Sequence, residues 1–209
     1  MSDARVIQFQ LAQFRLPDSH PLAPGDDAVY GFVVRDAENC ILVDSGIGTG
    51  SNVIERLYAP RRIELSSALA QIGVSLGDIT AVVNTHLHFD HCGNNRLFPG
   101  VPIFVQQAEL DAAREPRYTV REWVDFEHSN YVPVRGTHSI SPRLTLLATP
   151  GHTRGHQSLL VRSHDAVEII VGQAAYTAAE FQVFRESRTA ESRSDRDRYV
   201  RLNASWFPD

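Results

Sequence analysis

Apolar and polar residues alternate from Ile7 to Phe14, the period-two pattern of a strand with one buried face. His20 to Asp27 breaks that pattern with two prolines and a glycine and reads as a loop. Ala28–Val34 and Cys40–Val43 are nearly continuous apolar runs joined by the polar turn Asp36–Asn39, which predicts a hairpin. After Asp44 and the glycine-rich turn SGIGTGS, the period changes. Asn52–Tyr58 predicts one helix, and Glu64–Ile72, with Leu65, Leu69 and Ile72 on one face, a second one closed by Gly73. Asp78–Val83 predicts a short strand running into THLHFDHCGNN, where apolar content collapses. Beyond it, Val101–Val105 predicts a strand, Gln106–Glu115 a helix and Arg117–Arg135 a mostly irregular aromatic stretch. The strand Leu144–Ala148 enters TPGHTRGH, and Ser158–Val161 and Val167–Val171 predict two more strands. From Glu180 the chain is rich in Arg, Ser, Asp and Glu, with a helix expected over Ser194–Leu202. Strands and helices thus alternate with hairpins mixed in, an α/β or α+β class of layered sheets and outer helices.

The 209 residues suit a single domain over 1–209, with no repeat or low-complexity linker to divide it. With 43% apolar and 22% charged residues, the composition is that of a globular chain and excludes disordered or collagen-like classes. Twenty Lys plus Arg against 25 Asp plus Glu leave a net charge of −5, which argues against nucleic acid or anionic lipid as a partner. No segment approaches the roughly 20 apolar residues of a membrane helix, and the first residues lack the pattern of a signal peptide. The expected location is therefore the cytoplasm. The composition departs from the ordinary in its nine histidines, several of them clustered.

His86, Leu87, His88, Phe89, Asp90 and His91 put two imidazoles two residues apart, so an extended backbone points both toward one side, where they can share an ion. Asp90 and His91 follow in a turning chain and can face a second ion. Chance alone would place such an HxHxDH string in roughly one chain in a thousand of this composition. A hydrolytic zinc site needs three protein ligands and an open position. His152 is the best third ligand, because Pro150 and Gly151 make a sharp turn after a strand; His156 is the competitor, read as structural or as support for the ligands.

These residues carry a resemblance. THLHFDHCG, the later TPGHTRGH and the upstream ILVDSGIG are similar to the motifs of the metallo-β-lactamase superfamily over roughly Ala28 to Thr177. The resemblance implies a four-layer αββα sandwich with a dinuclear site at one edge of two packed sheets, here shortened at its C-terminal end. Asp44 matches an acidic position near the site that is not usually a direct ligand. Within the superfamily, Gly172–Thr177 resembles a segment of the N-acyl homoserine lactonases, which implies a quorum-quenching hydrolase. Tyr176 falls on a tyrosine that contacts the lactone carbonyl, and Gln173 takes the place of an aspartate that bridges both metals. An amide is a weaker ligand than a carboxylate. No histidine follows His164 to supply the family's further ligand to the second metal.

The resulting expectation is a metal-dependent hydrolase opening an N-acyl homoserine lactone or related ester. His86, His88 and His152 would hold one Zn2+, and Asp90, His91 and Gln173 a second with a depleted shell. Asp90 and Tyr176 would serve catalysis, the first as proton carrier and the second at the oxyanion. Alternatives are a thioesterase, a β-lactam-type hydrolase, or a member of the fold that keeps a metal as a scaffold without catalysis. Cys92 is expected to be a small packed thiol. Trp123, Phe126 and Tyr131 could line an acyl-chain pocket, pack in the core, or form a homodimer contact. His128, in the same stretch, is the most testable of the outlying histidines.

Overall fold

The structure is a computed structural model that describes residues 3–16 and 25–174 and the pair Tyr199–Val200. The chain runs through β1 (Arg5–Arg15), β2 (Asp26–Arg35), β3 (Cys40–Val43), α1 (Asn52–Tyr58), β4 (Arg61–Arg62) and α2 (Leu65–Gln71). It continues through β5 (Ala81–Val83), α3 (Phe89–Cys92), β6 (Pro102–Gln106), α4 (Gln107–Ala112), α5 (Arg121–Val124) and β7 (Asn130–Val134). The second part contains β8 (His138–Ser141), β9 (Leu144–Ala148), β10 (Gln157–Arg162), β11 (Val167–Ile170) and β12 (Tyr199–Val200).

Two sheets result, one ordered β4-β1-β2-β3-β5-β6-β7 and the other β12-β11-β10-β9-β8. The short runs CILV and AVV are apolar at every position because each strand is covered on both faces. Ile41, Val43, Ala81 and Val83 face Leu144, Leu146, Leu159 and Val161 of the second sheet. Leu42 and Val82 point the other way, into a core with Ile54 of α1, Leu65, Ala68 and Leu69 of α2, and Trp123 of α5. The α/β two-sheet architecture expected from the sequence is therefore present, with helices on the outer face of the larger sheet. The helices expected on the far side of the smaller sheet would lie outside the described residues. No helix among the described residues is long and apolar enough to cross a membrane.

Four expectations need correction. Asp78 ends a short 3-10 turn, Leu76–Asp78, where its carboxylate accepts from the Ser75 N–H and hydroxyl at 2.8 Å, so the strand begins only at Ala81. The stretch Arg117–Arg135 is not mostly irregular, since it holds α5 and β7. Pro133 masked β7 as a strand, but β7 is a sheet edge, where a missing N–H costs little. The polar β8 (HSIS) escaped notice for the same reason, because edge strands need no apolar face pattern. Of the helix expected over Ser194–Leu202, Tyr199 and Val200 instead form a strand parallel to β11, and the rest lies outside the described residues.

The turn SGIGTGS packs backbone to backbone on the end of α3. Gly93 donates its N–H to the Gly46 carbonyl at 2.8 Å, and a Cβ on Gly93 would stand 1.9 Å from the Gly48 nitrogen. Neither side of that contact is a flexible side chain that could yield. Gly93→Ala should therefore destabilise the fold by at least about 3 kcal/mol, read as a lowered urea midpoint at unchanged m-value.

Candidate metal centre

Parallel pairing of β3, β5 and β6 brings their C-terminal ends to one edge of the larger sheet, the edge at which open α/β sheets place their sites. From these ends come Asp44, the histidine loop and α4. In the smaller sheet the β9–β10 turn, TPGHTRGH, reaches the same edge. Gln157 joins the two: its N–H donates to the Thr85 carbonyl at 2.8 Å, and its Nε2 donates to the carbonyls of Asn84 (2.8 Å) and Phe104 (3.1 Å).

Across that seam the three expected imidazoles meet. His86 Nε2 lies 3.1 Å from His88 Nδ1, which lies 3.1 Å from His152 Nε2. His86, His88 and His152 thus offer three nitrogens within 4.8 Å of one another. A second group with the same spread is formed by His86, Asp90 and His91. His156, the competitor to His152, sits one step back: its Nδ1 pairs with the Thr149 hydroxyl at 2.8 Å and its Nε2 accepts from the Gln173 N–H at 3.1 Å. Gln173 is thereby tied to the site through its backbone. Tyr176 lies outside the described residues.

Support for the histidines comes from Asp44, held at φ 59° in the left-handed region that Asp tolerates better than most residues. Its Oδ2 faces His91 Nδ1 at 2.9 Å and accepts from the Thr85 hydroxyl at 2.7 Å. With its proton committed to Asp44, the Thr85 oxygen can only accept from His86 Nδ1, 3.2 Å away. A neutral His86 then carries its proton on Nδ1 and turns a bare Nε2 lone pair into the cluster, the tautomer a metal requires.

Protonation divides the site. Burial, helped by the neighbouring rings, holds His86 well below its ordinary value and brings His152 down to about 4 and His156 to about 3. Burial also lowers His88, so all three rings of the first group are neutral donors at pH 7. His91 behaves oppositely. Burial opposes its charge, but Asp90 and Asp44 outweigh that and push it up to about 10, and its Nε2 stands 3.2 Å from the Asp90 carboxylate. Asp90 in turn is held below the usual carboxylate range, the His91 charge overcoming the cost of burial. Three neutral imidazoles beside the Asp90 carboxylate fit a divalent cation, and a second cation would have to displace the proton that His91 holds between Asp44 and Asp90 in the metal-free chain.

Sequence reasoning assigned no role to Thr85, the first residue of THLHFDHCG, to Gln157, which directly follows TPGHTRGH, or to the fully buried Glu109, which lies outside both strings. Cys92 is the packed thiol expected: it donates toward the Leu87 and His88 carbonyls, and burial pushes it up to about 12. Trp123 is a core residue, 2% exposed, with its indole N–H on the Thr49 carbonyl. Phe126 and Tyr131, both half-buried, pack against that same core, as the core alternative expected. His128 is exposed beside Glu127, away from the cluster. The Tyr118 ring lies 4.9 Å from that of His88, and Phe89, next to His88 in sequence, packs in a cluster with Phe14 and Tyr58, the Tyr58 and Phe89 rings 4.4 Å apart.

Residues 24–206 match the model of the metallo-beta-lactamase superfamily. The chain belongs to that superfamily. An N-acyl homoserine lactonase from Bacillus sp is 32% identical over 177 residues, covering 77% of this chain and 70% of the relative. A second, from Bacillus cereus, is 30% identical over 167 residues, covering 74% and 66%. Among solved structures, an N-acyl homoserine lactone hydrolase with the product N-hexanoyl-L-homoserine bound at its catalytic metal centre superposes with a TM-score of 0.76 at 28% identity, covering 88% of this chain and 80% of that one. As a metallo-beta-lactamase superfamily member with these His and Asp groups, the chain is built for a divalent metal.

One consequence concerns acid. The unfolded chain takes a proton on a histidine near 6.5, whereas native His156 takes it only near 3, so protons favour the unfolded state throughout that window. Stability of the metal-free protein should fall as pH drops from about 6.5 toward 3, by up to about 1.4 kcal/mol per pH unit for this ring. His156→Gln keeps an acceptor for the Gln173 N–H and a donor for Thr149, so its urea midpoint should decline more shallowly over the same range.

Proposed function

We propose that the chain is a metal-dependent hydrolase that opens the lactone ring of an N-acyl homoserine lactone or a closely related ester. The observation carrying this reading is the convergence of His86, His88 and His152, from two loops on two sheets, beside the second group containing Asp90 and His91. In the proposal the first three hold one zinc ion. Asp90 and His91 hold a second, with Gln173 as a neutral donor. The bound metal supplies Lewis-acid polarisation of the carbonyl and a water acidified toward neutral pH.

The remaining work falls to side chains. Asp90, buried beside the candidate second site, takes the proton of the attacking water and passes it to the departing alkoxide, a transfer typically worth about 10² to 10⁴ in rate. Tyr176 donates its hydroxyl to the carbonyl oxygen as negative charge develops there. Phe89, between His88 and Asp90 in sequence, and Tyr58 offer an apolar wall for the acyl chain. A one-ion version also has an observation behind it, because His86 belongs to both groups and a single ring cannot serve two ions with the same nitrogen. A metal content near one per chain after dialysis would select it over the two-ion version.

Ring opening releases an acid, so turnover can be followed with a pH indicator. Zinc-loaded protein should open acyl homoserine lactones, chelation should abolish the activity, and His88→Ala or Asp90→Ala should lower it by at least about 10³. Full activity in chelator-treated His88→Ala would refute the scheme. Phe89→Ala should raise KM for long-chain substrates by up to about tenfold and leave short-chain substrates nearly unchanged.

A further inference from the structure

Glu109 is fully buried on α4, yet it carries no part of the two candidate metal groups. Its Oε1 accepts from the Leu87 N–H at 2.9 Å and from the Tyr118 hydroxyl, and its Oε2 accepts from the Thr153 hydroxyl at 2.7 Å. Leu87 is the residue between His86 and His88, and Thr153 is the residue after His152. One carboxylate therefore grips both ligand loops, each within a single residue of a metal-ligating candidate. Tyr118, the third partner, lays its ring 4.9 Å from that of His88. Among the described residues no Lys or Arg forms an ion pair with Glu109, so these hydrogen bonds are what offset its burial.

The approach of the second loop is built for this contact. A Cβ on Gly155 would stand 2.2 Å from the Glu109 backbone nitrogen and 2.5 Å from its Cα, so only glycine lets the TPGHTRGH loop lie against α4. The Thr153 hydroxyl is thereby brought within reach of the carboxylate. Buried side chains that merely fill space need no such convergence of donors.

We propose that Glu109, through the Leu87 N–H and the Thr153 hydroxyl, is the positioning residue that sets the separation between the His86/His88 pair and His152, and thereby the affinity of the first metal site. The inference rests on the reading of those three histidines as metal ligands. Partners that orient ligands in this way typically contribute 10- to 100-fold in metal affinity.

The test is Co2+ binding by the full-length metal-free chain, measured by competition with a chromophoric chelator and by the visible absorption of the bound ion. Thr153→Val removes one hydroxyl at nearly constant shape and should weaken the tighter Co2+ site by 10- to 100-fold with an altered visible spectrum, while Thr153→Ser restores both. Glu109→Gln should weaken the site in the same range; where it fails to fold, the Thr153 pair carries the test. Wild-type affinity and spectrum in Thr153→Val would overturn the proposal, as would equal weakening in Thr153→Ser, which would mark loss of packing. Failure of the wild-type chain to bind Co2+ would instead overturn the underlying metal reading.

Discussion

The hydrogen bonds of Gln157 hold the two sheets together at the edge where their polar loops face each other. Apolar packing between the sheets, through Val43, Val83, Leu146 and Leu159, is strong but non-directional, and would tolerate sliding of one sheet over the other. A cation site does not, since ligand distances must hold to about 0.2 Å. By donating to the carbonyls of Thr85, Asn84 and Phe104 while accepting from the Gln106 amide at 3.0 Å, Gln157 converts a greasy interface into a registered one immediately beside the histidines. His86 and His152 come from different sheets, and their ring centroids lie 4.7 Å apart because that seam is pinned.

Around the seam, buried polar groups satisfy one another in a connected network. Ser45, Asn84 and Asn95 are each fully buried; Asn95 donates to Asn84 at 2.8 Å and accepts from Ser45 at 2.8 Å. The Asn84 amide also donates to the His91 carbonyl at 3.1 Å, which fixes the backbone just beyond Asp90. Partly satisfied, such a cluster would cost more than an apolar core. Complete, it specifies one loop conformation, and the loop carries four of the candidate ligands. The same low-dielectric setting explains why neighbouring histidines titrate in opposite directions: burial and the surrounding rings dominate at His156 and His152, whereas the two carboxylates flanking His91 outweigh burial there.

What could be read in the sequence follows from how local each signal is. β3, with its apolar run CILV, and α1, with its helical spacing, were legible to the residue because their patterns are complete within a few positions. β7 and β8 were not, because an edge strand is defined by what it pairs with, and Pro133 pointed away from a strand. The histidines announced themselves through spacing and turn chemistry. The roles of Thr85, Gln157 and Glu109 could not, since the type of a threonine, glutamine or glutamate does not name its partner, and those partners are met only when strand ends 22 to 73 positions apart are brought together. The aromatic trio Trp123, Phe126 and Tyr131 left three readings open for a related reason. Apolar bulk predicts burial without saying whether it faces a core or a cleft, and for Trp123 the close approach of its ring to Gly48 places it in the core.

The donor set also narrows the chemistry. Mg2+ and Ca2+ take oxygen ligands and, for Mg2+, shed water reluctantly, so three neutral imidazoles make a poor cage for either. Imidazole suits the borderline ions of the later first row, and a site without carboxylate in its first group leaves the ion's charge largely uncompensated by the rings. That residual charge would be available, with an ion bound, to polarise an oxygen ligand. The compensating carboxylates are placed just outside: Asp44 behind His91 and Thr85, and Asp90 at the rim. Of these two carboxylates Asp90 is the one that belongs to a candidate ligand group, and its contact with His91 at 3.2 Å sets it beside the position a second ion would take.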